Sequence, residues 1–427
     1  MNESPLLIFA NRISGGGLAG KLMDELADEP NIYFVRLPEE ASTFQNTYSE
    51  LLKDQNLKCV VAGGDGSVNW VVSLLSNVFG HDNSNENLLN NIDNNIDVLS
   101  GNHQNDNQNE VDTENEAFNR NDTNIQNEVA QNGNLSNVMA NNIENMTNHE
   151  TTQNAVTNPT NANIRSYRPP LAVFPLGTGN DMSRALGWGR AVNKRRIKHI
   201  REELKIIREG KHIENVDVWK LHFKRLDSGI EDSKTMMNYF SIGVDAEIAH
   251  NFEEFRLGKC GCCICCQCMS LTCYVPVALR SMCGKRPIRN YLTVDVETNN
   301  ECHIHNANHG QNDNENTVQR LDVGRSEKTL VFQAIPSIYA GRDLWGRTSP
   351  RSMSDRKVEV LTEGGVWRLG FAQIGFNTAK PFCQGTKATI TSSEPLYYQV
   401  DGEGFFVNGP ATVTVEREGS YPLIFNK

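Results

Sequence analysis

Short, wholly apolar runs alternate with helically spaced apolar residues in the first part of the chain. Leu6-Leu-Ile-Phe9, Lys58-Cys-Val-Val-Ala62 and Leu171-Ala-Val-Phe174 have the length and continuity of buried strands. A helical pattern follows each one. Leu18 to Ala27 is amphipathic, Val68, Val71, Val72, Leu75 and Val78 repeat at helical spacing, and Met182-Ser-Arg-Ala-Leu186 opens a third helix. Every strand-to-helix joint is rich in glycine: NRISGGG (Asn11 to Gly17), GGDGSVN (Gly63 to Asn69) and PLGTGND (Pro175 to Asp181). Such units predict a parallel sheet with the loops along one edge, where α/β proteins bind their ligands. Thr178, Asn180 or Asp181 is expected to cap the third helix. Arg190 to Arg208 reads as a basic helical region. From Glu214 the period changes to two: NVDVWKLHFK, NYFSIGVDAEI, NYLTVDVETN, KTLVFQAI, KVEVLTE, KATITSS and ATVTVERE all read as strands. The fold class expected is an α/β N-terminal domain followed by a β-rich antiparallel second domain.

Length and charge divide this pattern further. The chain has 427 residues, enough for two cores, and a formal net charge of −11. The acidity is concentrated. Residues 81–163 hold thirteen acidic residues against one arginine, and about a third of their positions are asparagine. The remainder is close to neutral, so acidity is a property of an insertion. That stretch has too few apolar residues to bury and is expected to be disordered. A loop of that length is tolerable where its ends already lie close together. The expected division is residues 1–80 and 164–190 as a nucleotide-binding domain, 81–163 as the insertion, and 191–410 as the β-rich domain.

The glycine loops carry the first chemical signal. Glycines between a strand and a helix bring backbone N–H groups against an anion, and the helix N-terminus adds free donors. The dinucleotide fingerprint fails, because Asn69 stands where its third glycine would be, and no Walker-type Gly-Lys-Ser/Thr is nearby. Asp65 inside the loop would repel a bare phosphate. It makes sense beside a metal ion, a hydroxyl proton or a cationic side chain. A nucleotide-phosphate site with an acid at its transferring end is the reading.

Read in order, NRISGGG, GGDGSVN and PLGTGNDMSRALGWG resemble the lipid kinases of the diacylglycerol kinase and sphingosine kinase superfamily. MMNYFSIGVDAE (Met236 to Glu247), IPSIYAGRDLWG (Ile335 to Gly346), KVEVLTEGG (Lys357 to Gly365) and QVDGEG (Gln399 to Gly404) extend the resemblance over most of the chain. It implies a diacylglycerol kinase/NAD kinase-like fold with ATP and lipid meeting between two domains, and with residues 411–427 returning to the first. It also implies transfer of the γ-phosphoryl of ATP to diacylglycerol, giving phosphatidic acid, with Mg²⁺ as cofactor. The nucleotide would be bound by Asn11, Ser14, Gly15, Gly63, Gly64, Asp65, Gly66, Ser67, Asn69, Gly177, Thr178 and Gly179. Asn180 and Asp181 would orient the acceptor hydroxyl or cap the helix. Asp401 and Asp65 compete as general base, by resemblance to bacterial lipid kinases and to sphingosine kinases respectively. The assignment made is Asp401 as base, Asp65 as the acid organising Mg²⁺ and the γ-phosphate, and Glu403 as a supporting residue. Asp401-Gly402 also has the composition of a type I′ hairpin turn. Asp355 aligns loosely with a metal-supporting aspartate of bacterial relatives. Asn69 matches the bacterial and sphingosine-kinase loop, and eukaryotic diacylglycerol kinases usually carry glycine there. A sphingosine or ceramide kinase, or a catalytically silent scaffold, is the alternative.

Eight of the eleven cysteines fall between Cys260 and Cys283. Three readings stay open for Cys260, Cys262, Cys263, Cys265, Cys266 and Cys268: S-palmitoylation beside a basic apolar stretch, a thiolate metal site, or an inert loop. Lys194, Arg195, Arg196, Lys198 and Arg201 suit an anionic lipid surface or a solvated helix face. A cytoplasmic, peripherally membrane-associated protein is expected, with diacylglycerol as partner and no nucleic acid.

Overall fold

A computed structural model describes residues 3–80, 167–258, 286–298, 317–346, 350–364 and 379–427. The whole Asn-rich insertion and the cysteine cluster lie outside them.

The first part builds β1 (Leu6–Ala10), α1 (Ser14–Glu25), β2 (Ile32–Arg36), α2 (Phe44–Thr47), β3 (Lys58–Gly63), α3 (Asp65–Phe79) and β4 (Leu171–Pro175). The strands run parallel in the order β2-β1-β3-β4. β1 and β4 are buried along their whole length, as continuous apolar runs require when helices cover both faces. Three helices follow: α4 (Asp181–Ala185), α5 (Lys194–Lys198) and α6 (Ile200–Glu209). The basic helical region expected from Arg190 to Arg208 consists of two helices, meeting at His199. A domain boundary at residue 190 was expected, but Val192, Ile197, Ile200, Leu204 and Ile207 join the same core as β1, β3 and β4. These apolar residues have nowhere else to be buried.

The second half comprises β5 (Ile213–Arg225), β6 (Glu231–Met236), β7 (Tyr239–Gly243), α7 (Val244–Gly258), β8 (Leu292–Thr298), β9 (Thr317–Arg320), β10 (Thr329–Gln333) and β11 (Val358–Glu363). It continues with β12 (Lys380–Gly385), β13 (Lys387–Ser392), β14 (Leu396–Val400), β15 (Glu403–Val407) and β16 (Ala411–Ile424). A six-stranded antiparallel sheet, β12-β11-β10-β7-β14-β15, faces the antiparallel half of a larger ten-stranded sheet. Trp219, Phe240, Val294, Phe332, Ile390 and Val413 fill the core between them. The NYFSIGVDAEI stretch expected as one strand turns into α7 at Val244. Gly243 causes this: its φ of 119° breaks the strand, and Asp245 and Glu247 then favour a helix start.

β16 joins the two parts. Its first half pairs β13 and β5, while Leu423 pairs in parallel with Leu171 of β4. A bulge between Arg417 and Gly419 bends the strand from one sheet region to the other. Trp188 Nε1 donates to the Ile424 carbonyl at 2.7 Å and fixes the strand's end.

Candidate active site

The three glycine loops touch one another. Gly15, Gly16 and Gly17 have φ of 63, 66 and 85°, so the first turn of α1 is a left-handed loop that only glycine adopts easily. A Cβ on Gly15 would lie 3.1 Å from the Leu176 side chain. Gly64 and Gly177 meet backbone to backbone, with no room for a Cβ on Gly177. The peptide N–H of Leu176 donates to the Gly63 carbonyl at 3.0 Å. Asn11 Oδ1 accepts from the Ile13 N–H and shapes the first loop, while Thr178 is exposed at the tip of the third. Ser67 lies in the first turn of α3, beside Gly63.

Asp65 does something its own loop does not reveal. Its two carboxylate oxygens accept the N–H groups of Asp181 and Met182, both at 3.0 Å. It therefore caps α4, a helix 116 residues away in sequence. None of the three candidates from the third loop makes a side-chain cap. Asn180 instead accepts the Gly177 N–H and donates to the Gly177 and Arg190 carbonyls, holding the loop closed with its own φ at 53°. Burial raises the Asp65 pKa, opposed by the peptide N–H groups of α4 and the Asn238 amide.

Asp181, the first residue of α4, is itself gripped. Its oxygens accept the N–H of Ala340 at 3.1 Å and of Gly341 at 2.7 Å. Burial and the neighbouring Asp65 charge push its pKa up to about 7.

Asp401 stands opposite, at the corner between β14 and β15. Asp401 and Gly402 have φ of 50 and 91°, the left-handed pair of a type I′ turn. Its Oδ1 accepts from the Asn238 and Tyr239 N–H groups, at 2.8 and 3.0 Å. Its Oδ2 accepts from Met237 at 3.0 Å. Burial pushes the Asp401 pKa up to about 7, helped by the charge of Asp65 and opposed by the three N–H groups. Asn238 thus touches both acids, with its backbone on Asp401 and its side-chain amide on Asp65. The same turn carries Glu403, exposed, onto the second loop: a Cβ on Gly66 would fall on Glu403 Oε1.

Two expected site residues point elsewhere. The Asn69 amide donates to the Thr235 carbonyl and pins α3 to β6. Asp355 accepts the N–H groups of Ser352 and Lys357, both at 3.1 Å, and organises its own turn beside Asp217. Asp217 in turn receives Arg356 and Arg417. These described contacts give Asp355 no link to Asp65 or Asp401. Among the described residues no group of three His, Cys, Asp or Glu side chains is arranged to hold a metal ion.

Sequence reasoning passed over Asn238, Asp245 and the turn Tyr339 to Gly341. Asp245 is buried and receives Ser241 Oγ, Tyr339 Oη and Gln399 Nε2 on one oxygen. The available signal was the presence of Asn238, Ser241 and Asp245 in an otherwise apolar stretch, since buried polar side chains need partners.

Part of the basic region is neutralised within the fold. Arg196 pairs with Glu203, and Arg201 with Glu25 and Glu29. Lys194, Arg195 and Lys198 remain exposed. No described helix is long and apolar enough to cross a membrane.

Residues 5–92 and 147–219 match the family model for the diacylglycerol kinase catalytic domain, and residues 235–404 match that for the diacylglycerol kinase accessory domain. Diacylglycerol kinase 2 of Arabidopsis thaliana is 28% identical over 270 residues, covering 59% of this chain and 34% of the relative. Human diacylglycerol kinase theta is 26% identical over 269 residues, covering 59% of this chain and 25% of the relative. The chain spans about a third or less of the length of these relatives. A solved structure of a putative diacylglycerol kinase from Bacillus anthracis aligns with a TM-score of 0.49 at 13% identity, over 100% of this chain and 98% of that one. Yeast NADH kinase aligns at 0.40 and 9% identity, over 100% and 85%.

Proposed function

The chain belongs to the diacylglycerol kinase family, and on that premise we propose that it transfers the γ-phosphoryl group of ATP to the free hydroxyl of diacylglycerol, giving phosphatidic acid. The observation that carries this reading is the meeting of the glycine loops with the Asp401–Glu403 turn, an anion cradle facing a buried acid.

Phosphoryl transfer needs positioning, charge neutralisation and a proton acceptor. The N-terminal N–H groups of Asp65, Gly66 and Ser67 have no helical partner in α3 and suit phosphate oxygens, as do those of Gly15 and Gly16 in the first loop. Asp401 is the residue we assign to take the hydroxyl proton. A pKa near 7 lets a carboxylate accept a proton near neutrality and release it afterwards. The three N–H groups on Asp401 hold it in one orientation. The oxygen ligands Asp65 and Glu403 suit Mg²⁺, which commonly takes one or two carboxylates together with phosphate oxygens. Bound there with ATP, Mg²⁺ would neutralise the charge of the transferring group. Asp355, whose described contacts give no link to Asp65 or Asp401, is not assigned to metal binding.

The exposed Lys194, Arg195 and Lys198 are the part of the basic region we assign to an anionic lipid surface. The test of the whole reading is ATP-dependent phosphorylation in separate mixed micelles of diacylglycerol, sphingosine and ceramide. Phosphatidic acid should form and the two amine or amide lipids should stay unphosphorylated. Asp65→Ala should abolish the product while ATP still binds; full activity in that variant overturns the assignment of Asp65.

A further inference from the structure

Tyr339, Ala340 and Gly341 carry three consecutive positive φ angles of 50, 65 and 97°. Two of these residues are not glycine, and such backbone persists only where surrounding contacts fix it. Successive N–H groups in a turn of this kind converge on one side and form an anion-binding concavity. Here the anion is the Asp181 carboxylate, held at both oxygens by Ala340 and Gly341. Asp181 opens α4, and the first N–H groups of α4 hold Asp65.

The base of the turn is closed by reciprocal backbone hydrogen bonds between Ile338 and Arg342, at 2.9 and 2.6 Å. Besides the two N–H groups on Asp181, its apex is tethered by the Tyr339 side chain. The Tyr339 hydroxyl donates to Asp245 Oδ2 at 2.6 Å, and its ring meets that of Tyr239 edge-on at 5.5 Å. Both contacts lead to Asp401. Tyr239 gives its N–H to Asp401, and Gln399, which also donates to Asp245, lies two residues before it on β14. Hydrogen bonds joined by short stretches of backbone therefore run from the Asp401 hairpin through Gln399, Asp245 and Tyr339 to Ala340 and Asp181, and from α4 to Asp65.

We infer that Tyr339 and Asp245 are positioning residues for phosphoryl transfer. Their hydrogen bond keeps the turn of residues 339–341 in the shape that grips Asp181, and so sets Asp65 in register with Asp401. The inference rests on the function proposed above. A purely structural role for the bond makes a different prediction. In Tyr339→Phe the ring contact survives, and Asp245 keeps Ser241 and Gln399 as donors, so no buried charge is stranded. Global stability should then change little while the turn loosens.

The test uses the full chain, with amide hydrogen exchange and steady-state kinetics on diacylglycerol micelles. In Tyr339→Phe the Ala340 and Gly341 amides should exchange about tenfold faster or more, while the amides of β7 and β10 keep their protection. The kcat should fall about tenfold with the KM for ATP within about twofold of wild type. Asp245→Asn is the conservative control: its amide oxygen can still accept the Tyr339 hydroxyl, so exchange at residues 340 and 341 and kcat should stay near wild type, and a tenfold change in either would overturn the tether. Unchanged exchange at residues 340 and 341 in Tyr339→Phe overturns the tether even in an active enzyme. So does a loss of kcat that appears only alongside a general loss of protection. A wild-type chain that leaves diacylglycerol unphosphorylated overturns the catalytic part and the proposed function together, and the exchange result still decides whether the tether exists.

Discussion

Asp401 occupies a hairpin corner with left-handed backbone and three peptide N–H groups on its carboxylate. Replacing it by asparagine keeps the size and removes the base. Asp401→Asn should lower phosphatidic acid formation by about 100-fold or more. The new amide also faces a backbone N–H, so thermal unfolding should register a loss of about 1–3 kcal/mol. Glu359 tests a different property. It is buried on β11 beside Gln384, and burial pushes its pKa from 4.5 up to about 8. The folded state therefore holds this proton where the unfolded chain has released it. Stability from Glu359 is full below about pH 4.5 and is lost as pH rises towards 8, by an amount on the order of a few kcal/mol. Glu359→Gln should flatten the dependence of Tm on pH across that window; an unchanged slope would assign it to other groups. Asp401 was legible as a candidate through the resemblance of QVDGEG to a lipid-kinase motif, and its turn through Asp-Gly. Asn238 and Asp245 were not, since a polar residue in a strand declares its partner only when the neighbouring strands are known.

The glycine loops are held in place by each other. A Cβ on Gly177 would fall on the Gly64 backbone, whereas a Cβ on Gly66 meets only the end of the Glu403 side chain, which can swing aside. Gly177→Ala should cost about 1–3 kcal/mol of stability and weaken ATP binding. Gly66→Ala should leave Tm within about 2 °C of wild type and lower kcat through the displaced Glu403. Equal losses of stability in the two variants would contradict this packing. All three strand–loop–helix units were visible in the alternation of apolar runs, glycine and helical period. The work of Asp65 on α4 was not, because it joins residues 65 and 181 across an insertion that carries no structural signal of its own. The early end of β7 was hidden for a local reason: Ser-Ile-Gly-Val alternates like a strand, and only the φ of Gly243 breaks it.

β5 and β16 pair along their lengths, from Ile213 with Ile424 to Arg225 with Ala411. Val216, Val218, Tyr421 and Leu423 lie in the first core, and Trp219, Leu221, Val413 and Val415 in the second. Two cores crossed by the same pair of strands should melt together. Calorimetry is expected to give one cooperative transition, with equal calorimetric and van't Hoff enthalpies; two separated transitions would show independent domains. The change from helical to twofold periodicity near Glu214 announced two kinds of layer. It could not show that one sheet runs through both, because strand pairing over about 200 residues leaves no local mark. The Asp401 hairpin lies on the six-stranded sheet and is linked to the second glycine loop through Asn238, and the proposed chemistry depends on that register. The most direct test follows the label from γ-labelled ATP into lipid, with wild type and Asp401→Asn assayed side by side on diacylglycerol micelles. The expected result is labelled phosphatidic acid from wild type and about 100-fold less from the variant, with ATP binding retained. Label at the wild-type rate in Asp401→Asn, or none from wild type, would contradict the account.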